Sequence, residues 1–555
     1  MLTKNHFVMK SFAVFLAVLL CLNGSMFRFS AAAPAFSDVP SDHWASPYIN
    51  SLRELGITNG VGDNRFGMGQ TITRAEFVTF VCKLLGWEPM ASAQSRFTDS
   101  ENGGMWYFPY INAAVYHGAV KEDTPAFRPD EPITREEMAV MLVRSLGYDE
   151  LAQRLSYLGS PFYDVSQYTG YISIAKDLGI ISGVGGGRFM PKATATREQA
   201  ATMMIRMYEG LHRDIAYKNT FYAINSARQI QAITGFDSVS FGWARLVIKD
   251  GGVTLHYTTA DGNEYYLPPG YETAYQAAGG KTRMLMAAVS NEEAAQILLS
   301  PDLQRQAASL MAGALDGIGG SPAFDGIVVD FEGLKGEALK NGLNSFLSSL
   351  KQQLQGKAMY VAVHPQRRAG HAYYDAYDYR AIGALADKVI LMAHDYNARQ
   401  LTPAEMEQGI VMTPIAPIEE IYYALRAITD PDTGIEDRGK ILLQLSFGSA
   451  QWKLQDGKVI NGQPYTPGYD AIAARISQAS DIKYNTLYES PYITFYNDSD
   501  STNNIVWYED QRSVAAKIKL AKLFGITGLS VWRLGTIPND APSIYFDVLG
   551  DLLKP

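Results

Sequence analysis

The stretch that decides the fold runs from Phe324 to Gly333 and has the sequence FDGIVVDFEG. It is an apolar run that carries three carboxylates, and it predicts a buried parallel strand. Side chains alternate along a strand, so Asp330 and Glu332 point to the same face. A fully buried strand normally excludes charge, and acids at its C-terminal end are what an active site at the mouth of an α/β barrel requires. The alternative interpretation is an acidic strand end that caps the following helix.

After Arg213 the chain alternates between short β-rich runs and helical segments, which is typical of parallel β/α architecture. Eight runs with crossovers predict an α/β fold, a TIM (β/α)8 barrel over residues 215–555, with its site at the C-terminal strand ends. Two insertions are predicted, a hairpin at Gly252–Tyr266 and the segment Tyr465–Tyr508. The eight runs are Thr220–Ile224, Ser238–Trp243, Arg283–Val289, Gly326–Glu332, Met359–His364, Val389–His394, Ile441–Phe447 and Gly528–Trp532.

The FDGIVVDFEG stretch resembles the Asp-Gly-x-Asp-x-Asp-x-Glu signature of family 18 glycoside hydrolases, the chitinase-like enzymes. Asp325, Asp330 and Glu332 are in register, whereas Val328 stands where chitinases carry the middle Asp and spore-cortex-lytic relatives carry Asn. The resemblance implies that Glu332 is the general acid and that Asp330 orients the substrate's own acetamide for attack on the anomeric carbon. It also implies that Asp325 belongs to the substrate site. In this family the nucleophile belongs to the substrate.

The valine at position 328 has a predicted electrostatic consequence. Without a like-charged neighbour at Val328, Asp330 is expected to remain ionised more readily. Glu332 must be protonated to act, so an apolar pocket or the charge of Asp330 has to raise its pKa. The sequence therefore predicts activity that is reduced or shifted in pH.

A second strand end, Leu391–Tyr396, resembles the Met-x-Tyr-Asp segment of the same family. Met392 and Asp395 match, and His394 replaces the Tyr that usually hydrogen-bonds the reacting acetamide. An imidazole can also donate a hydrogen bond, but its protonation changes near neutral pH, so an extra pH dependence is expected. Tyr396 is the alternative source of a hydroxyl, and an ordinary histidine at a barrel mouth is the other interpretation.

Aromatic residues complete the predicted site. Trp532 resembles the tryptophan that forms the floor of the subsite where cleavage occurs in this family. The alternative interpretation is a tryptophan buried in the core. The insertion Tyr465–Tyr508 is rich in Tyr, Asn, Asp and Ser, and it is predicted to wall a sugar groove. Glu509 and Asp510, which follow it, are interpreted as structural acids.

The N-terminus predicts export. Lys4 and Lys10 precede the apolar run Ser11–Leu22, and small residues end at Ala35, so residues 1–35 read as a signal peptide. The apolar core is too short for a comfortable membrane span, and no membrane association is expected after cleavage. Only Cys82 remains in the mature chain, where it is predicted to be a buried structural thiol. A net charge of -9 and a pI near 5.5 argue against nucleic acid as a partner.

Three repeats, over residues 36–90, 96–150 and 161–210, precede the barrel and predict a mainly α-helical module. Each opens on Phe-x-Asp, and each second helix begins with a capping-box tetrapeptide, TRAE, TREE or TREQ. An arginine in the first helical turn opposes the helix dipole. Arg74, Arg135 and Arg197 therefore suggest a site where guanidinium groups and free backbone amides meet an anion, with solvated arginines as the alternative.

These repeats resemble S-layer homology domains, which hold exported bacterial proteins to anionic, often pyruvylated, secondary cell-wall polymers. The resemblance implies that Arg74, Arg135 and Arg197 bind the polymer and that Trp44 and Trp106 line the first two sites. The third repeat lacks the tryptophan, and it is expected to complete the three-fold packing that short helical units need.

Together the two resemblances imply a secreted glycosidase, attached to the bacterial cell wall or S-layer, that cleaves β-linked N-acetylglucosamine polymers. Wall attachment favours peptidoglycan over chitin as the substrate. No metal or cofactor is implied, since His364, His371 and His394 show no recognised ligand spacing. One rival is a carbohydrate-binding wall protein whose barrel has lost activity, for which Val328 and His394 argue. Another is an S-layer structural protein in which the barrel is incidental.

Overall fold

The computed structural model describes residues 36–91, 97–99, 104–262, 266–268, 270–318, 322–366, 374–396, 400–478, 481–539, 543 and 545–554. The predicted signal peptide lies outside these residues. The chain divides into two compact units. One contains the residues up to Gly147 together with Phe162–Val165 and Gly183–Arg206, and the other contains Tyr148–Pro161, Ser166–Ser182 and the residues from Met207 onward.

The described α-helices are numbered in chain order. They are α1 (Ser46–Glu54), α2 (Arg74–Leu84), α3 (Phe108–Tyr116), α4 (Arg135–Ser145), α5 (Asp149–Arg154), α6 (Thr169–Asp177), α7 (Arg197–Leu211), α8 (Tyr271–Ala277), α9 (Asn291–Leu299), α10 (Pro301–Ala314), α11 (Glu337–Gln353), α12 (Tyr379–Leu385), α13 (Pro403–Glu407), α14 (Ile418–Ile428), α15 (Tyr469–Gln478), α16 (Gln511–Leu523) and α17 (Val548–Leu553). Within the described part of the chain, none of these helices has both the length and the apolar character needed to cross a bilayer.

The strands are numbered in the same way. They are β1 (Tyr217–Tyr222), β2 (Ser238–Lys249), β3 (Gly252–His256), β4 (Thr282–Val289), β5 (Gly326–Phe331), β6 (Ala358–Val363), β7 (Lys388–Leu391), β8 (Ile441–Ser446), β9 (Ala450–Gln455), β10 (Lys458–Val459), β11 (Asp481–Asn485), β12 (Ser490–Asn497), β13 (Thr502–Trp507) and β14 (Gly528–Trp532).

In the first unit, the aspartate that opens each repeat ties it to the loop before the second helix. The carboxylate of Asp38 accepts hydrogen bonds from the backbone amides of Phe66, Gly67 and Met68 at 2.7, 2.8 and 3.0 Å. Asp99 and Asp164 accept from the equivalent amides of the second and third repeats. The Phe-x-Asp motif therefore has a structural role, because it satisfies loop amides that lack a helical partner.

The predicted capping boxes are complete in two repeats. The Thr73 amide donates to the Glu76 carboxylate at 2.9 Å, and the Glu76 amide donates back to the Thr73 hydroxyl at 3.2 Å. The second repeat has the same reciprocal pair at the start of α4. In the third, the Thr196 amide donates to Gln199 at 3.4 Å, but the Thr196 hydroxyl has no hydrogen-bond partner among the described residues.

The three first-turn arginines join the repeats in a ring. All three side chains are buried, and each Nε donates to a backbone carbonyl of another repeat. The bonds are Arg74 to Phe127 at 2.8 Å, Arg135 to Phe189 at 2.9 Å and Arg197 to Phe66 at 2.9 Å. Because the third arginine returns to the first repeat, the bonds close a cycle.

Two of these arginines also form ion pairs with the capping glutamate of the repeat that they reach. Arg74 pairs with Glu137, and Arg197 pairs with Glu76, each at 2.7 Å. The third repeat carries Gln199 at the corresponding position, opposite Arg135. The interpretation of solvated arginines is therefore wrong. Carbonyl oxygens, and in two cases a glutamate, of this chain contact the guanidinium groups, and a further contact with an external anion stays a prediction.

The second unit contains the predicted barrel. Eight parallel strands follow the order β1-β14-β8-β7-β6-β5-β4-β2, and pairing between β1 and β2 closes the sheet. Each of the eight predicted runs overlaps one of these strands, so the predicted TIM barrel is confirmed. Its interior is packed with apolar side chains, including Phe221, Met286, Val328 and Leu442. Gly326 is required at the start of β5, where a Cβ atom would lie 2.4 Å from the carbonyl oxygen of Ala358.

The two insertions take definite forms. In the first, β3 pairs antiparallel with the end of β2. The second is part of a separate antiparallel sheet of order β10-β9-β13-β12-β11, which lies between β8 and β14 in the chain and begins at Ala450, before the predicted start at Tyr465. Trp452 and Trp507 are fully buried in the core of this sheet.

Helices α5 and α6 belong to the same unit as the barrel. Asp177 at the end of α6 accepts a hydrogen bond from the Tyr422 hydroxyl at 2.6 Å and pairs with Arg426 at 3.1 Å. Arg154 of α5 pairs with Glu419. Helix α14 thus holds both short helices through charged and polar contacts.

The boundaries of the third repeat and the barrel drawn from the sequence stay predictions.

Candidate active site

A pocket of about 590 Å³ opens at the C-terminal ends of the barrel strands. It brings together most of the site residues predicted from the sequence, although they come from three separate strand ends. These residues are Asp330, Glu332, Met392, His394, Asp395, Tyr396 and Trp532. His364, Tyr374 and Gln444 also line the pocket and were not predicted.

Asp330 and Glu332 sit at the end of β5 in contrasting environments. The side chain of Glu332 is 49% exposed to the pocket mouth, whereas Asp330 is only 5% exposed. Among the described residues, Oδ1 of Asp330 has no hydrogen-bond partner. Desolvation, with a further contribution from the Glu332 charge, raises the pKa of Asp330 well above its usual range. Burial therefore favours the protonated form of Asp330, and the effect of Val328 relative to a carboxylate at that position stays a prediction.

His364 contacts the exposed carboxylate. Its Nε2 atom lies 3.3 Å from Oε2 of Glu332. The imidazole ring stacks on Tyr374 with 4.1 Å between ring centroids. His364 follows β6, the strand next to β5, so its position at the barrel mouth could have been inferred from strand order. The stacked ring restricts where the Glu332 carboxyl group can lie.

Asp325 lies at the other end of β5. It precedes the first residue of the strand, and seven residue steps of extended chain, at about 3.3 Å each, place it roughly 23 Å from Glu332. Its carboxylate accepts from the backbone amide and Nε of Arg283, at 2.9 and 3.1 Å. The assignment of Asp325 to the substrate site is therefore wrong, because the side chain lies at the N-terminal end of the barrel, where it pairs with an arginine at the start of β4.

His394 is held at both ring nitrogens. Nδ1 lies 2.7 Å from Oδ2 of Asp395, and Nε2 lies 2.7 Å from Oε1 of Gln444. No ring nitrogen is left to hydrogen-bond a substrate acetamide, so the expectation that His394 replaces the tyrosine in that bond is corrected. The Tyr396 hydroxyl lies 3.5 Å from the Glu420 carbonyl oxygen, and its contact with substrate stays a prediction.

Aromatic rings form one side of the pocket. Trp532 meets Phe221 and Trp243 edge to face, with ring centroids 5.1 and 5.4 Å apart. Trp532 is only partly buried, and it lines the pocket. An exposed indole face of this kind can stack against the apolar face of a sugar ring.

Comparison with known proteins identifies two kinds of domain in the chain. Residues 299–536 match the model of the family described as glycosyl hydrolases family 18, and residues 35–78, 96–139 and 161–201 match the S-layer homology domain. The chain carries a family 18 glycosyl hydrolase domain and three S-layer homology domains.

Individual relatives match parts of the chain. An S-layer protein of Bacillus thuringiensis subsp. finitimus is 30% identical over 205 residues, covering 36% of this chain and 24% of the relative. A cortical fragment-lytic enzyme of Bacillus subtilis (strain 168) is 27% identical over 226 residues, covering 38% and 47%. The chain thus spans less than half the length of these curated relatives. The solved spore cortex-lytic enzyme SleL of Bacillus cereus superposes with a TM-score of 0.48 and 20% identity, over 61% of this chain and 74% of that chain.

Two acids near the family 18 pocket have structural roles. Glu509 is buried and accepts from Lys517 Nζ at 2.6 Å. Asp510 caps α16 by accepting from the Arg512 amide at 2.9 Å. Neither lines the pocket. The described residues of the Tyr465–Tyr508 insertion do not line it either, and the role of this segment as a groove wall stays a prediction.

The residues around the pocket do not resemble a metal centre. Across the described residues, no group of three or more His, Cys, Asp or Glu side chains is placed to hold an ion.

Cys82 is a buried free thiol, and desolvation raises its pKa to about 12, which is typical of an unreactive structural cysteine.

Proposed function

We propose that this protein is a glycosidase that cleaves β-linked N-acetylglucosamine polymers with retention of anomeric configuration, using the substrate's own acetamide as the nucleophile. The observation that carries the proposal is the pairing of a half-exposed Glu332 with an enclosed Asp330 on one strand face. These two carboxyl groups cannot flank a sugar ring from opposite sides. A reacting group must therefore come from elsewhere, and the substrate's acetamide is the nucleophile that the match to family 18 implies.

The environments of the two acids suit different tasks. Glu332 reaches the pocket mouth, where it can protonate the glycosidic oxygen of a bound polymer. Asp330 has a raised pKa and an unpartnered oxygen within the described structure. It can therefore hold a proton in the empty pocket and accept a hydrogen bond from the acetamide N–H as positive charge develops there.

Peptidoglycan is the proposed natural substrate, with chitin as the alternative. Support comes from a relative named as a cortical fragment-lytic enzyme and from the S-layer homology domains. We expect the full chain to release new reducing ends from purified peptidoglycan and, more slowly, from chitin oligomers, as measured by mass spectrometry of the products. Release from neither polymer would favour an inactive carbohydrate-binding wall protein, the candidate that Val328 and His394 support.

We further propose that the repeats attach the secreted protein to an anionic cell-wall polymer. Trp44 and Trp106 are 55% and 57% exposed, so their rings are available to a ligand. The arginines remain candidate polymer ligands, but they are unsuitable for a test. Removing one partner of a buried ion pair such as Arg197 and Glu76 costs about 3–5 kcal/mol, and lost binding would then reflect unfolding.

Replacing both Trp44 and Trp106 with Ala should therefore weaken sedimentation with polymer-bearing cell walls. Two aromatic contacts worth about 1 kcal/mol each correspond to a loss of roughly tenfold or more in affinity. Tyr163→Ala is the matched control, because Tyr163 is 75% exposed in the repeat that lacks the tryptophan. Equal sedimentation of the double variant and the parent would remove these residues from the binding site.

A further inference from the structure

His394 is the first member of a polar chain that crosses the interior of the barrel. Gln444 faces His394 with its carbonyl oxygen and donates from its amide nitrogen to the Ser530 hydroxyl at 3.4 Å. Ser530 donates to Oδ1 of Asn219 at 2.9 Å. Asn219 donates to the hydroxyls of Ser238 and Ser240 at 2.9 and 3.0 Å. These residues are buried on β8, β14, β1 and β2, where apolar side chains would otherwise be expected.

The direction of this chain determines the protonation of His394. Because Gln444, Ser530 and Asn219 each donate away from the imidazole, the Gln444 oxygen is left to accept from Nε2. An ionised carboxylate is only an acceptor, so Asp395 must accept from Nδ1. A neutral imidazole has one N–H group and cannot satisfy both acceptors, whereas an imidazolium has two.

We propose that His394 is an imidazolium that supplies a fixed positive charge to the Asp330 and Glu332 pair, and that Gln444 is the positioning residue that maintains it. The catalytic role of this positive charge rests on the proposed glycosidase activity, whereas the protonation state of His394 does not. Since both ring nitrogens are occupied, His394 contributes charge and does not hydrogen-bond the substrate. When Glu332 gives up its proton it becomes a carboxylate, and a nearby cation stabilises that charge.

The charged groups around His394 are consistent with this state. Desolvation lowers the pKa of His394, but the bonds to Asp395 and Gln444 and the charge of Glu332 raise it above its usual value overall. The pairing with His394 also holds the pKa of Asp395 below its usual value, against the effect of burial.

Charged groups on the neighbouring elements add little net charge. Behind the ring, a small cavity lined by His394 and Gln444 is also lined by Glu509 and Lys517, which pair with each other. On the pocket side, Asp330 and Glu332 face the ring from β5, and His364 follows β6. The carboxyl groups of Asp330 and Glu332 are therefore the pocket acids that the imidazolium can influence.

The expected pH dependence follows from the raised pKa. The positive charge is fully present below the usual histidine pKa and is lost as the pH rises through the raised folded-state pKa of His394. Activity should therefore fall on the basic side. Gln444→Leu removes one acceptor from the imidazolium, and the loss of a hydrogen bond to a charged group should lower the midpoint by about one to two pH units.

The decisive measurement is the ring protonation of His394 in the full chain. Nitrogen NMR of ring-labelled histidine at pH 7 should show protons on both nitrogens, with the signal assigned by its loss in His394→Asn. The titration midpoint should fall by about one to two pH units in Gln444→Leu and stay near that of the parent in Ser530→Ala, which keeps the Gln444 carbonyl. A neutral ring in the parent at pH 7 would overturn the proposal, whether or not the protein hydrolyses any polymer.

The catalytic role of the His394 charge is tested separately, by the pH profile of kcat/KM. The basic limb of kcat/KM on soluble N-acetylglucosamine oligomers should move with the NMR midpoint in Gln444→Leu. In Gln444→Glu the basic limb should move to higher pH, because this variant keeps an acceptor for the imidazolium and adds a negative charge. Gln444→Glu also provides the test if Gln444→Leu does not fold. A basic limb that stays in place while the ring titration shifts would overturn the catalytic role of the charge. Absence of hydrolysis by the parent would refute the proposed function, and the ring protonation would still be decided by NMR.

Discussion

Glu332→Gln should reduce hydrolysis of N-acetylglucosamine oligomers by about 10²–10⁴-fold, the usual contribution of general acid catalysis. Glutamine keeps the shape of the side chain and can still contact His364, but it has no proton to donate to the leaving oxygen. The side chain is half exposed at the pocket mouth, so the substitution should leave the thermal unfolding midpoint near that of the parent. The measurement is kcat/KM on a soluble oligomer, with circular dichroism as the check on folding.

Glu337→Gln is the matched control for this variant. Glu337 lies five residues further along the chain, on the exposed first turn of α11, and its side chain is 71% exposed. Its replacement should leave activity unchanged. If Glu332→Gln instead retained most of the activity, the acid would have to be another pocket carboxyl group. Glu509 and Asp510 would not qualify, since both are buried outside the pocket, and Asp330, which lines the pocket and has a raised pKa, would become the candidate.

The barrel could be predicted because its strands are short apolar runs separated by helices, a pattern that each segment shows by itself. The position of Asp325 was misjudged for a different reason. The family motif names residue types in order, but a strand carries its first and last residues to opposite ends of the barrel. Counting residues along β5 would have separated Asp325 from Glu332.

The contacts of His394 and of the arginine ring depend on residues distant in sequence. The carbonyl partners of Arg74, Arg135 and Arg197 lie 53, 54 and 131 residues away. Short sequence windows therefore showed the repeated arginine but not the contacts between repeats that it makes. One signal was available for Gln444. It interrupts an apolar strand, as do Asn219 and Ser530 on the two strands next in order around the barrel, and three polar residues in adjacent buried strands predict a hydrogen-bonded network.

Oligomers that lack the acetyl group on the sugar at the cleavage site should not be hydrolysed at a measurable rate. In the proposed mechanism the acetamide oxygen attacks the anomeric carbon of its own sugar, and well-oriented intramolecular nucleophiles have effective concentrations of about 10⁵–10⁸ M. Asp330 cannot replace it, because it shares a strand face with Glu332 and is enclosed with a raised pKa. The measurement compares fully acetylated with fully deacetylated oligomers of equal length, using mass spectrometry of the products.

A partially deacetylated oligomer that keeps its acetyl group only at the cleavage site is the control, and it should still be cleaved. This substrate separates loss of the nucleophile from loss of binding, since it lacks acetyl groups at every other subsite. NMR spectra recorded before mutarotation should show the retained anomeric configuration at the newly formed end. A thiazoline that mimics the cyclised sugar should inhibit hydrolysis. Rapid cleavage of the fully deacetylated oligomer, or release of the inverted anomer, would require a nucleophile from the protein or from water. Asp395 is paired with His394, so the attacking group would then have to be a water molecule activated by Glu332 or Asp330.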